Sequence, residues 1–567
     1  MTKPHDDPES PTTSEDGLGL SRRAFLGAAS TPALLAVAGT AGGAAFAAPS
    51  LAHARVLTPE EDKERYRDTA VMRRDAAKAN YDLAAALAEQ KTNDDERRYE
   101  DLRGSFHKCL PQNKFGEVKR AAYRRLRRAL RTGDPYDFDA IPLSSRSDRR
   151  LANPQGALAR NLTGIDSHGT RMRPAPAFAS AETAAEVGEV YWHALLRDVP
   201  FNHYTNHPLA EAALDDLNGF SETVGPKVRG QVTSATLFRG PTPGDLAGPY
   251  VSQFLWKTVP FGLAQIEQVY PSPAAGDDFM IDAAEWLAIQ RGQAPSRIPE
   301  LVRPRYINDA RALGEYVHVD VLSQAYLFAG LIALGMGAFG VETYADNPSQ
   351  GGFTSLGGPD FLDSLWHVGN LSLRAAWFQK WAAHRRLRPE TYAGRVHFTS
   401  TGDRRYDVHD DILHSDAVRL LVSKNGTAFL PMQFPEGSPT HPAYPAGHAT
   451  VAGSCCTVLK AFLNEDMVFS DPVVSNDDGS KLEAWVGEDL TVGGEINKLA
   501  SNIALGRDLA GVHYRSDGID GILVGEQVAL TYLADKSRTY NEDFEGFTLT
   551  KFDGNQVLIA GGSVYEI

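Results

Sequence analysis

The chain has 567 residues, 42% hydrophobic and 23% charged, and 72 acidic against 57 basic side chains leave a formal net charge of −15. That length supports one large or two ordinary domains with a sizeable core, and the acidic balance argues against nucleic acid as a partner. The three cysteines, Cys109, Cys455 and Cys456, form neither a zinc pattern nor a disulfide framework. Adjacent on a helix, Cys455 and Cys456 would point about 100° apart, as core fillers do.

Residues 1–54 read as a leader. Ser21-Arg22-Arg23-Ala24-Phe25-Leu26 resembles the twin-arginine export signal, and an uncharged Ala/Gly-rich run leads to two small-x-small sites, Ala45-Phe46-Ala47 and Ala52-His53-Ala54. Export is therefore expected, with cleavage after Ala47 or Ala54 and an extracellular, periplasmic or cell-surface destination. A helical region is expected over 55–350 and a second over 351–567.

Hydrophobic periodicity predicts helices over 58–90, 118–131, 181–198, 242–256, 281–291, 308–336, 359–386, 410–423, 447–463, 495–509 and 513–534. The first opens on Thr58-Pro59-Glu60-Glu61, a capping signal. The second is rich in arginine (Arg120, Arg124, Arg125, Arg127, Arg128), read as a solvated face. The apolar run 326–341 falls short of the roughly 20 residues of a membrane span, so a buried core helix is expected and no span in the mature chain. Segments 134–178, 341–358 and 387–409 read as long loops. Alternation over 547–552 and 556–560 around Asp553-Gly554-Asn555 predicts a C-terminal hairpin. The fold class is mainly α, helical bundles with long crossovers.

Three segments carry candidate chemistry. Lys380 lies late in a predicted helix and Arg388 precedes Pro389, which pushes residue 388 out of the α region and ends that helix. Eight helical residues span about 12 Å, so a point charge and a planar fork can converge on one oxyanion. His384, Arg385 and Arg386 between them read as an ordinary basic helix end. In His441-Pro442-Ala443-Tyr444-Pro445-Ala446-Gly447-His448, prolines and a glycine at a helix start place free N–H groups where an anion docks, and His448 adds an acid/base group. The third segment supplies Arg507, His513 and, at i+4 from His513, Asp517 to orient or charge-balance its neighbours.

In that order, segments 380–389, 445–448 and 507–517 resemble the three-part signature shared by vanadium-dependent haloperoxidases and the type-2 phosphatidic acid phosphatase superfamily. Gln379-Lys380-Trp381-Ala382-Ala383-His384-Arg385-Arg386-Leu387-Arg388-Pro389-Glu390 is more specifically similar to the algal and cyanobacterial bromoperoxidase branch. So are Glu436-Gly437-Ser438-Pro439-Thr440-His441 and the upstream Arg239-Gly240-Pro241 and Gly248-Pro249-Tyr250-Val251-Ser252-Gln253-Phe254. The likeness extends from about residue 60 to 535.

The resemblance implies two packed four-helix bundles, vanadate as cofactor, and oxidation of bromide and iodide by hydrogen peroxide to hypohalous acid, which halogenates small organic substrates. A homo-oligomer is also expected. His513 would be the metal ligand. Lys380, Arg388, Arg507 and the Gly447 N–H would hold the oxygens. His448 would deprotonate peroxide and Lys380 would polarise it. Trp377 and His441 match positions linked to halide choice. Ala446 departs from the pattern, because the family has serine there and this chain lacks that hydroxyl contact. The competing readings are an acid phosphatase, since vanadate and phosphate suit the same pocket, and a non-catalytic phosphate-binding exported protein, which would have no need of His448 as a base.

Overall fold

Glycines set how closely the site-bearing helices approach one another. The structure, a computed structural model, describes residues 58–87 and 89–567; the leader expected at 1–54 lies outside the described residues. The chain divides into two units, Met1–Arg65 and Tyr66–Ile567. In the first, the cap at Thr58 forms as predicted: its hydroxyl accepts from the Glu61 N–H at 3.3 Å and its own N–H donates to the Glu61 carboxylate at 2.7 Å.

In the second unit the helices that matter here are α1 (Ala181–Leu196), α2 (Ala310–Val319), α3 (Gln324–Gly335), α4 (Gly358–Phe378), α5 (Pro389–Thr401), α6 (Gly447–Phe462), α7 (Val492–Leu509) and α8 (Arg515–Ser537). Helices α4, α6, α7 and α8 pack on one another as a four-helix bundle with α6 at its centre, and a second group gathers around α1, including α5 and the short helices Pro208–Asn218, Asp410–His414 and Asp416–Asn425. Helix α7 packs against members of both groups. Apart from His448, every residue of α6 is buried, so its neighbours surround it. A Cβ on Gly525 of α8 would overlap the Thr450 carbonyl oxygen, and one on Gly453 of α6 would overlap that of Ile522. The two backbones touch, and the start of α6 is thereby held against the start of α8.

The mainly α class holds. The predicted hairpin is two strands of a three-stranded antiparallel sheet, Phe547–Thr550, Gln556–Ala560 and Ser563–Glu566. Cys455 and Cys456 are buried free thiols. The arginine-rich helix forms as Arg120–Thr132, burying Ala122, Tyr123, Leu126 and Ala129 and turning its arginines outward. Among the described residues no single helix is long and apolar enough to cross a membrane.

Several expected elements differ. Region 242–256 is a loop with one short turn of 3-10 helix, Gln253–Leu255, because Gly244 and Gly248 take left-handed φ values of +91° and +63°. The helix expected over 308–336 breaks into α2 and α3, bent by 103°. That expected over 410–423 breaks at Ser415. Helix α4 ends at Phe378 and runs on as a π turn, Gln379–His384, closed by Arg385 at φ +42°. Pro389 does not terminate that helix. It is the first residue of α5, inside a region expected to be loop, where its missing N–H costs nothing and its fixed φ favours the helix.

The contact between α6 and α8 predicts that Gly525→Ala destabilises the fold by about 1–3 kcal/mol, the range for overpacking a tight interface. Gly351→Ala, at a site with no neighbour within 4 Å, serves as the neutral control. Urea unfolding of the two variants against wild type measures the difference.

Candidate active site

The π turn decides where Lys380 points. The extra residue in a π turn rotates the side chains that follow, and such turns concentrate at functional sites. Here the Arg385 N–H bonds back to the Lys380 carbonyl at 2.9 Å. Lys380 is fully buried, and its ammonium donates to the carbonyls of Pro442 and Ala443 at 2.8 and 2.9 Å. Arg388, extended before α5, is also fully buried. It donates to the His441 carbonyl at 2.9 Å, to the Val512 carbonyl at 2.7 Å, to His441 Nδ1 at 3.0 Å and to His513 Nε2 at 2.9 Å. Arg507, at the end of α7, donates to the Val317 carbonyl and lies 5.2 Å over the Phe434 ring.

The three cations are near enough for Arg388 and Arg507 both to depress the Lys380 pKa. None of them forms an ion pair with a carboxylate among the described residues. Burial is the main cause of their shifts: Lys380 falls well below the usual lysine range, Arg388 is pushed down to about 9 and Arg507 to about 10. Concentrating buried positive charge with no carboxylate in contact is expensive. The Arg507 Nε is in addition a buried donor with no acceptor. The arrangement suits an anion.

His513 sits just before α8, whose first residue is Arg515. Its Nδ1 pairs with Asp517 Oδ2 at 2.8 Å, so Nδ1 carries the proton and the Nε2 lone pair faces Arg388. The expected i+4 relation therefore forms. Asp517 does more than that: Oδ2 also accepts from the Tyr514 N–H at 3.1 Å, Oδ1 from Arg386 at 2.9 Å, and its main-chain carbonyl from the Ala446 N–H at 2.7 Å. Ala446 is the buried N-cap of α6 and makes no side-chain cap. The first N–H groups of α6, Gly447 among them, have no acceptor within the helix. A Cβ at Gly447 would meet Trp377 and Leu373 only at ordinary distances of 3.4 and 3.5 Å, so nothing inside the chain demands glycine there and the space is left to something else. His441 lies against Trp377 with ring centroids 4.8 Å apart. His448, partly exposed, directs Nε2 to Asp320 Oδ1 at 3.0 Å.

The structure thus brings Trp377, Lys380, Arg388, His441, Arg507 and His513 together. His448 faces Asp320, a carboxylate that also acts electrostatically on Arg507. Two contributors were missed in the sequence. Asp320 lies at the bend between α2 and α3, and the signal was a carboxylate between Val319 and Val321 inside the helix expected over 308–336. Arg386, read as an incidental basic residue, bonds Asp517 and Glu186 at 2.9 and 2.8 Å. Its signal was Glu186 and Glu189 amid the small and apolar residues of α1; both are buried and each needs a cation, and Glu189 is paired with Arg515.

Comparison with known proteins matches this geometry to a family. A family model described as the VCPO second helical-bundle domain matches residues 372–542. A vanadium-dependent bromoperoxidase of Ascophyllum nodosum is 35% identical over 494 residues, covering 82% of this chain and 88% of that protein. The chain belongs to the vanadium-dependent bromoperoxidase family. A relative in Corallina officinalis is 35% identical over 550 residues, covering 80% and 90% of the two chains. Among solved bromoperoxidases, the homohexameric second vanadate-dependent enzyme of Ascophyllum nodosum superposes with a TM-score of 0.85 at 29% identity, covering 96% of this chain and 97% of its own. The family model begins inside α4 and spans all three site segments.

Buried neutral histidines make the fold acid-sensitive. Burial, reinforced by the neighbouring arginines, holds His384 down at about 3, and burial with the site cations holds His441 and His513 well below the usual imidazole range. Below pH 6.5 the unfolded chain binds protons that the folded chain refuses, so stability falls as pH falls, by about 1.4 kcal/mol per pH unit per histidine. Urea unfolding midpoints at pH 6.5, 5.5 and 4.5 should decline steeply, and His384→Phe should flatten that decline.

Proposed function

We propose that this protein binds vanadate and uses hydrogen peroxide to oxidise bromide to hypobromous acid, which brominates small organic molecules; iodide is expected to serve as well. The observation that carries this reading is the group of three buried cations, Lys380, Arg388 and Arg507, without carboxylate partners, beside a histidine whose Nε2 lone pair is free of a proton. Support comes from the family, whose characterised members are named for vanadium and bromide.

When bound, vanadate supplies a Lewis acid that stays in its highest oxidation state. His513 Nε2 is the metal ligand, because its Nδ1–H is committed to Asp517. Lys380, Arg388, Arg507 and the Gly447 N–H neutralise and orient the oxygens. His448 is the acid/base group: Asp320 accepts from Nε2–H, which leaves Nδ1 to take the peroxide proton and return it. Lys380, held by the two carbonyls, also polarises the peroxide towards the halide. Trp377 and His441 flank this space and bias it to bromide over chloride, since a polar imidazole alters the hydration of the entering halide. We also propose export, on the strength of the Arg22-Arg23 motif, and a homo-oligomer, consistent with the homohexameric neighbour.

Chelator-dialysed protein should be inactive in bromide oxidation and recover with orthovanadate, with excess phosphate competing. Recovery with iron or haem in place of vanadate refutes the proposal. His513→Ala should lose vanadate binding, whereas His448→Ala should keep part of it and lose most turnover; wild-type binding in both would reverse the assignment.

Ala446→Ser tests the departure from the family pattern. Serine at an N-cap accepts from the N–H groups of the first turn, which contributes about 1 kcal/mol to stability, while its hydroxyl proton stays free for a vanadate oxygen. One such bond contributes about 0.5–1.5 kcal/mol, so vanadate should bind up to about tenfold more tightly. Turnover at saturation should change less, because a contact made alike in ground and transition states raises occupancy more than rate. Weaker binding in apo-protein titration would show that the loop has adapted around alanine.

A further inference from the structure

The upstream motif from Arg239 to Phe254 contributes no residue to the site described above. It builds a different feature: a cleft of about 360 Å³ walled by Phe201, Tyr204, Tyr250, Trp256 and Trp485, with Arg239 in its lining. That volume lies in the range of small-molecule sites. The motif shapes the wall by its backbone. Gly244 and Gly248 turn the chain in left-handed conformations, packed against Gly494 and Leu490, where a Cβ on either would clash. Tyr250 is pinned by a 2.7 Å bond from its hydroxyl to the Phe238 carbonyl and stacks on Phe201 at 4.0 Å with an 11° interplanar angle.

Arg239 is held ready for a ligand. Two of its N–H groups donate to the carbonyls of Asp245 and Gly248, both at 2.7 Å, and its guanidinium lies 5.7 Å from the Tyr250 ring centroid. It forms no ion pair among the described residues, and burial lowers its pKa. The carboxylates near it have other partners. Asp245 accepts from Thr242 and Ser501, Glu495 from Lys498 and the Gln253 N–H, and Glu488 from the Gly248 N–H. The Tyr204 hydroxyl is buried without a partner. A positioned guanidinium that feels Asp245, Glu495 and Glu488 only at a distance and has no carboxylate in contact, set in an aromatic wall, matches a small molecule that carries a carboxylate on a flat ring.

The geometry points to a binding site for small aromatic carboxylates in this cleft, separate from the vanadate-type site and independent of the reading of that site. The ring lies against the aromatic wall and the carboxylate pairs with Arg239.

The test is calorimetric titration of vanadate-loaded protein with 2-naphthoate; loading fills the other anion-binding pocket. Saturable one-to-one binding tighter than about 1 mM is expected, with the uncharged 2-naphthalenemethanol and the non-aromatic cyclohexanecarboxylate each at least tenfold weaker. Ala235→Trp, at an exposed residue of the cleft rim, should abolish binding while bromide oxidation and thermal stability stay as in wild type. Arg239→Gln should weaken 2-naphthoate at least tenfold and leave 2-naphthalenemethanol unchanged; if this variant does not fold, Ala235→Trp alone decides between the outcomes. Absence of saturable binding below about 1 mM, equal affinity for the charged and uncharged naphthalenes, or undiminished binding in Ala235→Trp overturns the proposal.

Discussion

Asp517 is the constraint on which the site depends. One buried side chain orients His513, caps the start of α8 through the Tyr514 N–H and pairs with Arg386 from the end of the π turn, while its main-chain carbonyl takes the Ala446 N–H at the start of α6. Segments sixty or more residues apart in sequence are tied at a single residue, and each carries part of the proposed oxyanion-binding set. A buried charge network of this kind contributes little net stability, because desolvation offsets the Coulombic gain. Its contribution is arrangement, since removal of any partner would leave another charge buried and unpaired.

The framework around that residue is tuned by volume. The Gly453 and Gly525 contact lets α6 and α8 approach until their backbones touch, which places the first turn of α6, with Gly447 and His448, beside the start of α8. From the other side, the π turn after α4 and the extended residue Arg388 before α5 turn Lys380 and Arg388 inward. Glu186, buried on α1, holds the far end of Arg386. The bundle formed by α4, α6, α7 and α8 and the helix group around α1 therefore meet at Arg386, immediately behind the site.

Electrostatics connects this architecture to chemistry. Burial depresses the proton affinity of all three cations, with Arg388 and Arg507 adding to the effect on Lys380, and burial together with these cations keeps His441 and His513 neutral. A neutral His513 whose Nδ1–H is taken by Asp517 keeps Nε2 free of a proton; that lone pair accepts from Arg388 in this structure and could bind a metal in its place. A histidine carrying a proton there could not bind one. Burial, reinforced by the positive charge that would bind an oxyanion, therefore keeps the proposed ligand His513 in the form that can bind a metal.

Much of this was legible in the chain. The three segments, their order, the pairing of His513 with Asp517 and the mainly helical class follow from local spacing, because helix periodicity, glycine and proline punctuation and i+4 contacts are short-range effects written in neighbouring residues. What the chain could not reveal was contributed by distant partners. Arg386 resembled any basic helix end until buried Glu186 and Asp517 gave it a role. Asp320 became a partner of His448 only because the expected long helix bends by 103° beside it. Whether Pro389 ends one helix or begins the next was settled by the π turn and Arg385, not by the preference of proline, which allows both. Local sequence decides which conformations each segment can adopt at low cost, and the tertiary structure selects among them by pairing buried charges that are far apart in the chain.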